Sequence, residues 1–291
     1  MNQKQSIALI TCKELPELTP DDRLLASALR KNGIEVVAKE WDSKDAKWQN
    51  YDACVLRSCW DYHRCQLEFV SWLTRLADTG VKLLNPIPLV LWNMHKKYLI
   101  NFSLKGIPII DTLWLDRGEN LNLEALLRGT GWAEIVVKPA ISATAYNTFR
   151  IHKRDFASIL PKITMLNKEM DLLAQPFIEQ IRFQGEWSFV FFGMDFSHAV
   201  IKIPAKEDFR TQPEYGSRIH RGDPPGTILS QAKRVIERTE GPLLYARVDG
   251  VVVDGEFKLM ELEVIEPSLF FSHEPSAPDR TIRRLHQLLR D

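Results

Sequence analysis

The chain has 291 residues, 45% hydrophobic and 26% charged, which supplies ample apolar material for two or more packed units and excludes a disordered chain. Lysine plus arginine and aspartate plus glutamate both number 38, so the net basic charge that marks a nucleic-acid or anionic-membrane binder is missing. No run approaches the roughly 18 apolar residues of a bilayer span. The N-terminus MNQKQSIALITCKE lacks the h-region of a secretory signal, and the expectation is a cytoplasmic protein whose four cysteines are thiols.

In chain order, SIALIT (6–11) predicts a buried strand. TPDDRLLASALRKNG predicts a helix capped by Thr19 or Asp21, with Leu24, Leu25, Ala28 and Leu29 as its stripe and Gly33 as its stop. IEVVAKEW, YDACVLR and VKLLN are further strands, with a helix over Phe69–Asp78 between the last two. This βαβ alternation argues a small open parallel sheet. NPIPLVLWNMHKKYLINFSLKG reads as a helical stripe closing at Gly106, followed by a strand entered through Pro108. AEIVVKPAIS is a strand, RDFASILPKI a short helix and DLLAQPFI a strand. EWSFVFFGMDFSHAVIKIP predicts a hairpin, Ser230–Arg238 a helix, and LYARVDGVVV with EFKLMELEVI a second hairpin through Asp254-Gly255. An amphipathic helix, DRTIRRLHQLLR, closes the chain. The expected class is α/β and α+β, in three units: an α/β substrate domain over 1–90, a central lobe over 91–174 and a C-terminal lobe over 175–291.

Four constellations bear chemistry. Along a strand, residues i and i+2 face one way, so the second hairpin can bring Arg247 and Asp249 against Glu261 and Glu263. Crowded carboxylates suit a hard divalent cation such as Mg²⁺ or Mn²⁺, but the same spacing fits a solvated face. Lys138 and Lys202 sit among apolar residues, where they can serve one polyphosphate or snorkel to the surface. In QPFIEQIRFQGE, Gln175, Phe177 and Ile178 can frame an adenine edge and Glu186 a ribose hydroxyl, or the segment is a plain linker. RSCWDY follows a parallel strand, where ligands of open α/β sheets gather. Arg57 could clamp a carboxylate and Asp61 an amine, unless this is a capped loop with Trp60 and Tyr62 covering the core. Cys54, Cys59, His63 and Cys65 lack the paired spacing of a structural zinc site.

These motifs in this order resemble the ATP-grasp superfamily over most of the chain. The resemblance rests on a lysine after NPIPLVLWN, then VVKP, QPFI, GEWS, IKIP, RVDG and MELEVIEPSLFF. RSCWDY, NPIPLVLWNMHKKYL and ELEVIEPSLFF look most like its glutathione-synthetase-like group, which includes the cycloserine-pathway O-ureido-serine cyclo-ligase type. The resemblance implies an ATP-grasp fold behind the small N-terminal α/β domain. It also implies ATP held between the two later lobes. Lys96 and Lys138 would contact ATP, Gln175 to Ile178 would form the adenine hinge, Glu186 would hold ribose and Lys202 would meet phosphate. Asp249, Glu261 and Glu263 would hold Mg²⁺ or Mn²⁺, and Arg247 would stabilise the γ-phosphoryl group. A homodimer is a further implication. Two departures stand out: PAISATAYNT has no glycine where many relatives carry a Gly-rich lid, and Glu263 stands where many have asparagine.

The expected function is an ATP-dependent carboxylate–amine or cyclising ligase on a small amino-acid-like substrate, working through an acyl phosphate. Arg57, Asp61, Arg210 and Arg218 are the candidate substrate residues. A non-catalytic nucleotide-binding or amino-acid-binding module and a metal hydrolase are the alternatives.

Overall fold

The structure, a computed structural model, describes residues 4–118, 123–206 and 208–290. The first sheet is all parallel, in the order β2-β1-β3-β4, built from β1 (Ser6–Thr11), β2 (Glu35–Glu40), β3 (Ala53–Ser58) and β4 (Lys82–Leu84). Its crossovers are α1 (Pro20–Lys31) and α2 (Gln66–Asp78). The Thr19 hydroxyl accepts the Asp22 N–H at 3.1 Å, which stops the chain before Pro20 and starts α1. The buried face of α1 is Leu25, Ala26 and Leu29, while Leu24 is 43% exposed, so the expected stripe is rotated by about one position. Every residue of β3 is buried, as befits a central parallel strand covered on both faces.

Two short helices follow, α3 (Ile87–Met94) and α4 (Tyr98–Leu104), where one continuous stripe is expected. They separate at His95–Lys97 because the Lys96 N–H leaves the helix to bond Ala140 O at 2.9 Å. The second sheet is antiparallel, in the order β5-β8-β6-β7, with β5 (Leu113–Leu115), α5 (Leu123–Gly129), β6 (Glu134–Pro139), β7 (Phe149–His152), α6 (Phe156–Glu169) and β8 (Leu172–Pro176). Helix α6 runs on past the expected RDFASILPKI and carries Pro161 inside it. Burial of Phe156 and Ile163 against the sheet offsets the one lost backbone bond.

The third sheet takes α7 (Gln180–Gln184), β9 (Glu186–Phe192), β10 (Asp195–Ile203), β11 (Arg218–Gly222), α8 (Gly226–Glu237), β12 (Ala246–Val253), β13 (Glu256–Glu263) and α9 (Ala277–Arg290), with strand order β11-β10-β9-β12-β13. Asp254 and Gly255 turn the last hairpin with φ of 51° and 80°, the left-handed pair such a turn requires. One face of this sheet shares a core with the first: Ile7, Leu9, Leu25 and Leu29 pack with Val190, Phe192, Val200 and Leu285. The other face packs on α4 and α8 through Leu99, Phe102, Ala232 and Val235.

Strand β13 is an edge, yet its outer side is satisfied. Leu259 bonds Pro108 O at 2.9 Å, the Tyr98 hydroxyl bonds both Leu262 N and O at 3.0 Å, and Asn93 bonds Leu262 O and Val264 N. The strand expected beyond Pro108 starts later, as β5 (Leu113–Leu115), and next to Pro108 the chain makes a bridge, Ile109 to Leu259. The side chains of Asn93 and Tyr98 and the backbone at Pro108 and Ile110 complete the sheet that carries the acids.

Candidate functional site

A cleft between the second and third sheets is lined by Lys96, Lys138, Gln175, Phe177, Ile178, Glu186, Lys202, Arg210, Arg247, Asp249, Glu261 and Glu263. Residues as far apart in the chain as Lys96 and Glu263 thus meet in one cavity. The expectation missed Val136, Ile110, Met260, Thr211, Ser268, Phe270, Trp60 and Tyr62, which line it too.

The hairpin register sets the acidic wall. Arg247 pairs across from Glu263 and Asp249 from Glu261, so all four share one face. Asp249 accepts from Ser188 Oγ at 2.7 Å, from Arg247 Nη2 at 2.8 Å and from Lys202 Nζ at 3.2 Å. Burial would raise its pKa, but the Arg247 and Lys202 charges override that and hold it at about 2. Arg247 also pairs with Glu263. Burial pushes Glu263 up to about 7, with Asp249 and Glu261 opposing the relief from Arg247. Lys202 bridges Glu186 at 2.7 Å to Asp249, and these acids raise its pKa against the effect of burial. Lys96 pairs with Glu261 at 2.9 Å and donates to Ser142 O at 3.0 Å. Lys138 has no ion pair among the described residues, and burial lowers its pKa.

The carboxylate oxygens of Asp249, Glu261 and Glu263 do not all come within 4.8 Å of one another: Asp249 and Glu263 share Arg247, while Glu261 is paired with Lys96. Their chemistry still fits a hard cation: oxygen donors only, and a Glu263 carboxyl that burial first, and then Asp249 and Glu261, hold above its usual range. The three described residues that do converge are Cys12, Glu14 and Asp61. There burial, then Asp61, pushes the Cys12 thiol up to about 11, which disfavours the thiolate a metal needs.

The hinge follows from where β8 stops. The Phe177 N–H bonds Glu134 O at 3.0 Å, Gln175 Nε2 bonds the Thr112 hydroxyl at 3.0 Å, and the Arg150 guanidinium lies 3.7 Å over the Phe177 ring. Glu186 opens β9 and is held by Lys202 and the Thr211 hydroxyl. Arg210 pairs with Asp208 at 2.7 Å and lies 3.5 Å over the Tyr215 ring, while Arg218 is exposed on β11 and outside the cleft.

Arg57 and Asp61 do not line the cleft. Arg57 lies in β3, which is covered on both faces, so its guanidinium is spent inside: Nε on Asp22 at 2.8 Å, Nη2 on Pro267 O at 2.6 Å, and its plane 4.9 Å from the Tyr245 ring. Asp61 accepts the Trp41 indole N–H at 2.9 Å. Trp60 and Tyr62 take the positions in the cleft instead.

One irregular segment is held with unusual completeness. Five successive carbonyls after β13 each accept a side-chain donor: Ile265 from Tyr245 Oη at 2.9 Å, Glu266 from Trp60 Nε1 at 3.1 Å, Pro267 from Arg57, Ser268 from Arg247 at 3.1 Å and Leu269 from His198 Nε2 at 3.0 Å. A segment outside the sheet ladder is thereby fixed beside the cleft.

Residues 7–85 match the family model described as the N-terminal domain of the D-cycloserine synthetase DcsG. The chain is 27% identical over 280 residues to the cycloserine biosynthesis protein DcsG of Streptomyces lavendulae, covering 90% of this chain and 92% of that one. The crystal structure of D-cycloserine synthetase DcsG superposes with a TM-score of 0.86 at 24% identity, covering 98% of this chain and 99% of that one. A D-alanine–D-alanine ligase from Bacillus anthracis complexed with ATP superposes with a TM-score of 0.72 at 17% identity, covering 98% and 97%. No helix among the described residues is long and apolar enough to cross a membrane.

Proposed function

We propose that the chain is an ATP-grasp ligase near the cycloserine-synthetase type, which activates a small amino-acid-like carboxylate with ATP and closes a C–N bond through an acyl phosphate. The observation that carries this reading is Lys138. It is a cleft-lining ammonium with no ion pair among the described residues, next to a hinge walled by Val136, Phe177 and Ile178. An adenine edge and a polyphosphate answer both needs.

The adenine would bond the backbone near Gln175 to Ile178, with Glu186 toward the ribose. Lys96, Lys138 and Lys202 would lie along the phosphates. Asp249, Glu261 and Glu263 would hold Mg²⁺ or Mn²⁺, which supplies charge neutralisation on the phosphates when bound. A substrate carboxylate oxygen then bonds the γ-phosphorus as the bond to the ADP oxygen breaks. Arg247 stabilises the charge on the transferring group, a positioning and electrostatic role. A nitrogen nucleophile next attacks the acyl carbon, phosphate leaves with the electron pair, and the nitrogen gives up its proton. Arg210 borders the same space, whereas Arg57 supports it through Pro267. We assign 1–90 to the substrate side and 91–174 and 175–291 to the two nucleotide-gripping lobes, in a cytoplasmic protein that forms a homodimer.

A non-catalytic binding module is the rival, and the loop after Lys138 favours it. The segment PAISATAYNT has no glycine to give a phosphate-covering lid its close backbone approach, and Thr144, Ala145 and Asn147 take left-handed φ of 51° to 55° without one. ADP release, measured with a panel of amino acids and dipeptides with and without Mg²⁺, decides. Carboxylate-dependent, Mg²⁺-dependent ADP release is expected. ATP binding with no such release sinks the ligase reading.

A further inference from the structure

The deep carboxylates of the cleft are all spoken for, with one exception. Glu186 pairs with Lys202, Asp249 with Lys202 and Arg247, Glu263 with Arg247, and Glu261 with Lys96. Glu266 lines the same cleft and is 9% exposed, yet its carboxylate has neither an ion pair nor a hydrogen bond among the described residues. The two cations whose charge reaches it, Lys96 and Arg247, are committed to the other acids. Burial, and then Glu263 and Glu261, push the Glu266 carboxyl well up, the behaviour of an acid that lacks its partner.

The position of this acid is also built. Its carbonyl accepts the Trp60 indole N–H, the next carbonyl accepts Arg57, and the preceding one accepts Tyr245. Trp60 and Tyr62 wall the cleft beside it, and Phe270 lies on the Arg247 side. A buried acid without a cation among the described residues, in a cleft lined also by Trp60, Tyr62 and Phe270 and tied through its carbonyl to the Trp60 that follows parallel strand β3, describes a site for a compact ammonium group. The rings exclude water from the ion pair, and their faces favour the cation.

We infer that Glu266, with Trp60 and Tyr62, binds the amino group of the substrate and selects 2-amino acids over 2-hydroxy acids of the same shape. The inference rests on the ligase reading and narrows its substrate class. It also gives the motif RSCWDY a role different from the one its sequence suggests. Arg57 does not clamp the substrate; it is a positioning residue, acting through Pro267 on the segment that carries Glu266.

The test uses the full chain with Mg²⁺ and a non-hydrolysable ATP analogue bound. Titration calorimetry compares glycine and both enantiomers of alanine and serine with glycolate, lactate and glycerate. At least one amino acid should bind about 30-fold tighter than its hydroxy counterpart, as expected for a charge-assisted hydrogen bond made in a dry site. In Glu266→Gln that preference should fall to about threefold or less, with affinity for the Mg²⁺ nucleotide kept within about twofold. Glu266→Asp keeps the charge and covers the case in which the glutamine variant does not fold; it should weaken amino-acid binding while leaving hydroxy-acid binding unchanged. Three results would each overturn the inference: no amino acid preferred over its hydroxy counterpart, a preference that survives in Glu266→Gln, or a variant whose main defect is a higher Mg²⁺ requirement, which would make Glu266 a metal ligand. An amine preference without any ADP release would spare this inference and sink the ligase reading alone.

Discussion

The two ends of the cleft carry opposite imbalances. Among the described residues, Lys138 at the hinge end is a cation without an ion-paired acid, and Glu266 at the RSCWDY end is an acid without an ion-paired cation. Between them Arg247, Lys202, Asp249, Glu263 and Glu186 form a network in which every member has an ion-pair partner. The imbalances are left where ligands belong. In the proposed ligase, an anionic nucleotide would complete one end and an aminated substrate the other, with the transferring group against the network between them. The ends also differ in how they are built. The hinge uses backbone freed by the stop of β8, whereas the substrate end uses loop carbonyls capped by side chains from three distant segments.

Breaking one end should leave the other standing. Arg57→Met has the largest expected effect: it strands the buried Asp22 carboxylate and frees the Pro267 carbonyl, costing about 3–5 kcal/mol of stability. Urea melts measure the loss, and the folded fraction should still bind Mg²⁺ nucleotide. Acid should loosen the substrate end in a related way. Burial lowers His198 to about 4 from its usual 6.5, and the neutral ring holds the Leu269 carbonyl. Between those values the unfolded chain binds the proton and the folded chain does not. Stability is therefore intact above about pH 6.5 and falls by up to about 3 kcal/mol as pH drops to 4. His63, also lowered to about 4, adds a second share of the same sign, so His198→Gln should remove part of the slope and leave the rest. Melts from pH 4 to 8 check this; an unchanged slope in His198→Gln would assign the acid sensitivity elsewhere.

At the other end, Lys138→Met should weaken nucleotide binding by about 100-fold while leaving the melting midpoint the same or higher, since a buried, unpaired ammonium is removed. A variant that destabilises the fold without affecting nucleotide affinity would break the comparison. The smallest effect expected is Trp60→Phe, which deletes one hydrogen bond to the Glu266 carbonyl and should cost about 1 kcal/mol. Its signature is a severalfold weaker amino-acid affinity at unchanged nucleotide affinity.

Periodicity was enough to read the strands and helices whose apolar pattern is local: β1, α1, β3, α2 and both long hairpins. It was silent on β7 and β11, which read FRIH and RIHRG. Both are sheet edges, where charge on the strand keeps neighbouring chains from pairing and also erases alternation. The break between α3 and α4 was illegible for another reason, since it depends on Ala140 taking the Lys96 N–H from 44 positions away.

For the site, the sequence by itself determined the ingredients. The i, i+2 spacing on a turn-defined hairpin forces Arg247, Asp249, Glu261 and Glu263 onto one face, and strand chemistry needs no tertiary help to do so. Only the tertiary structure decided which charges cancel and which remain. It gave Arg57 to Asp22 and Pro267 because a central parallel strand has no wet face, and it left Glu266 alone because Lys96 and Arg247 reach other acids first. Charge pairing depends on distance across the fold, and that is a quantity no spacing along the chain contains.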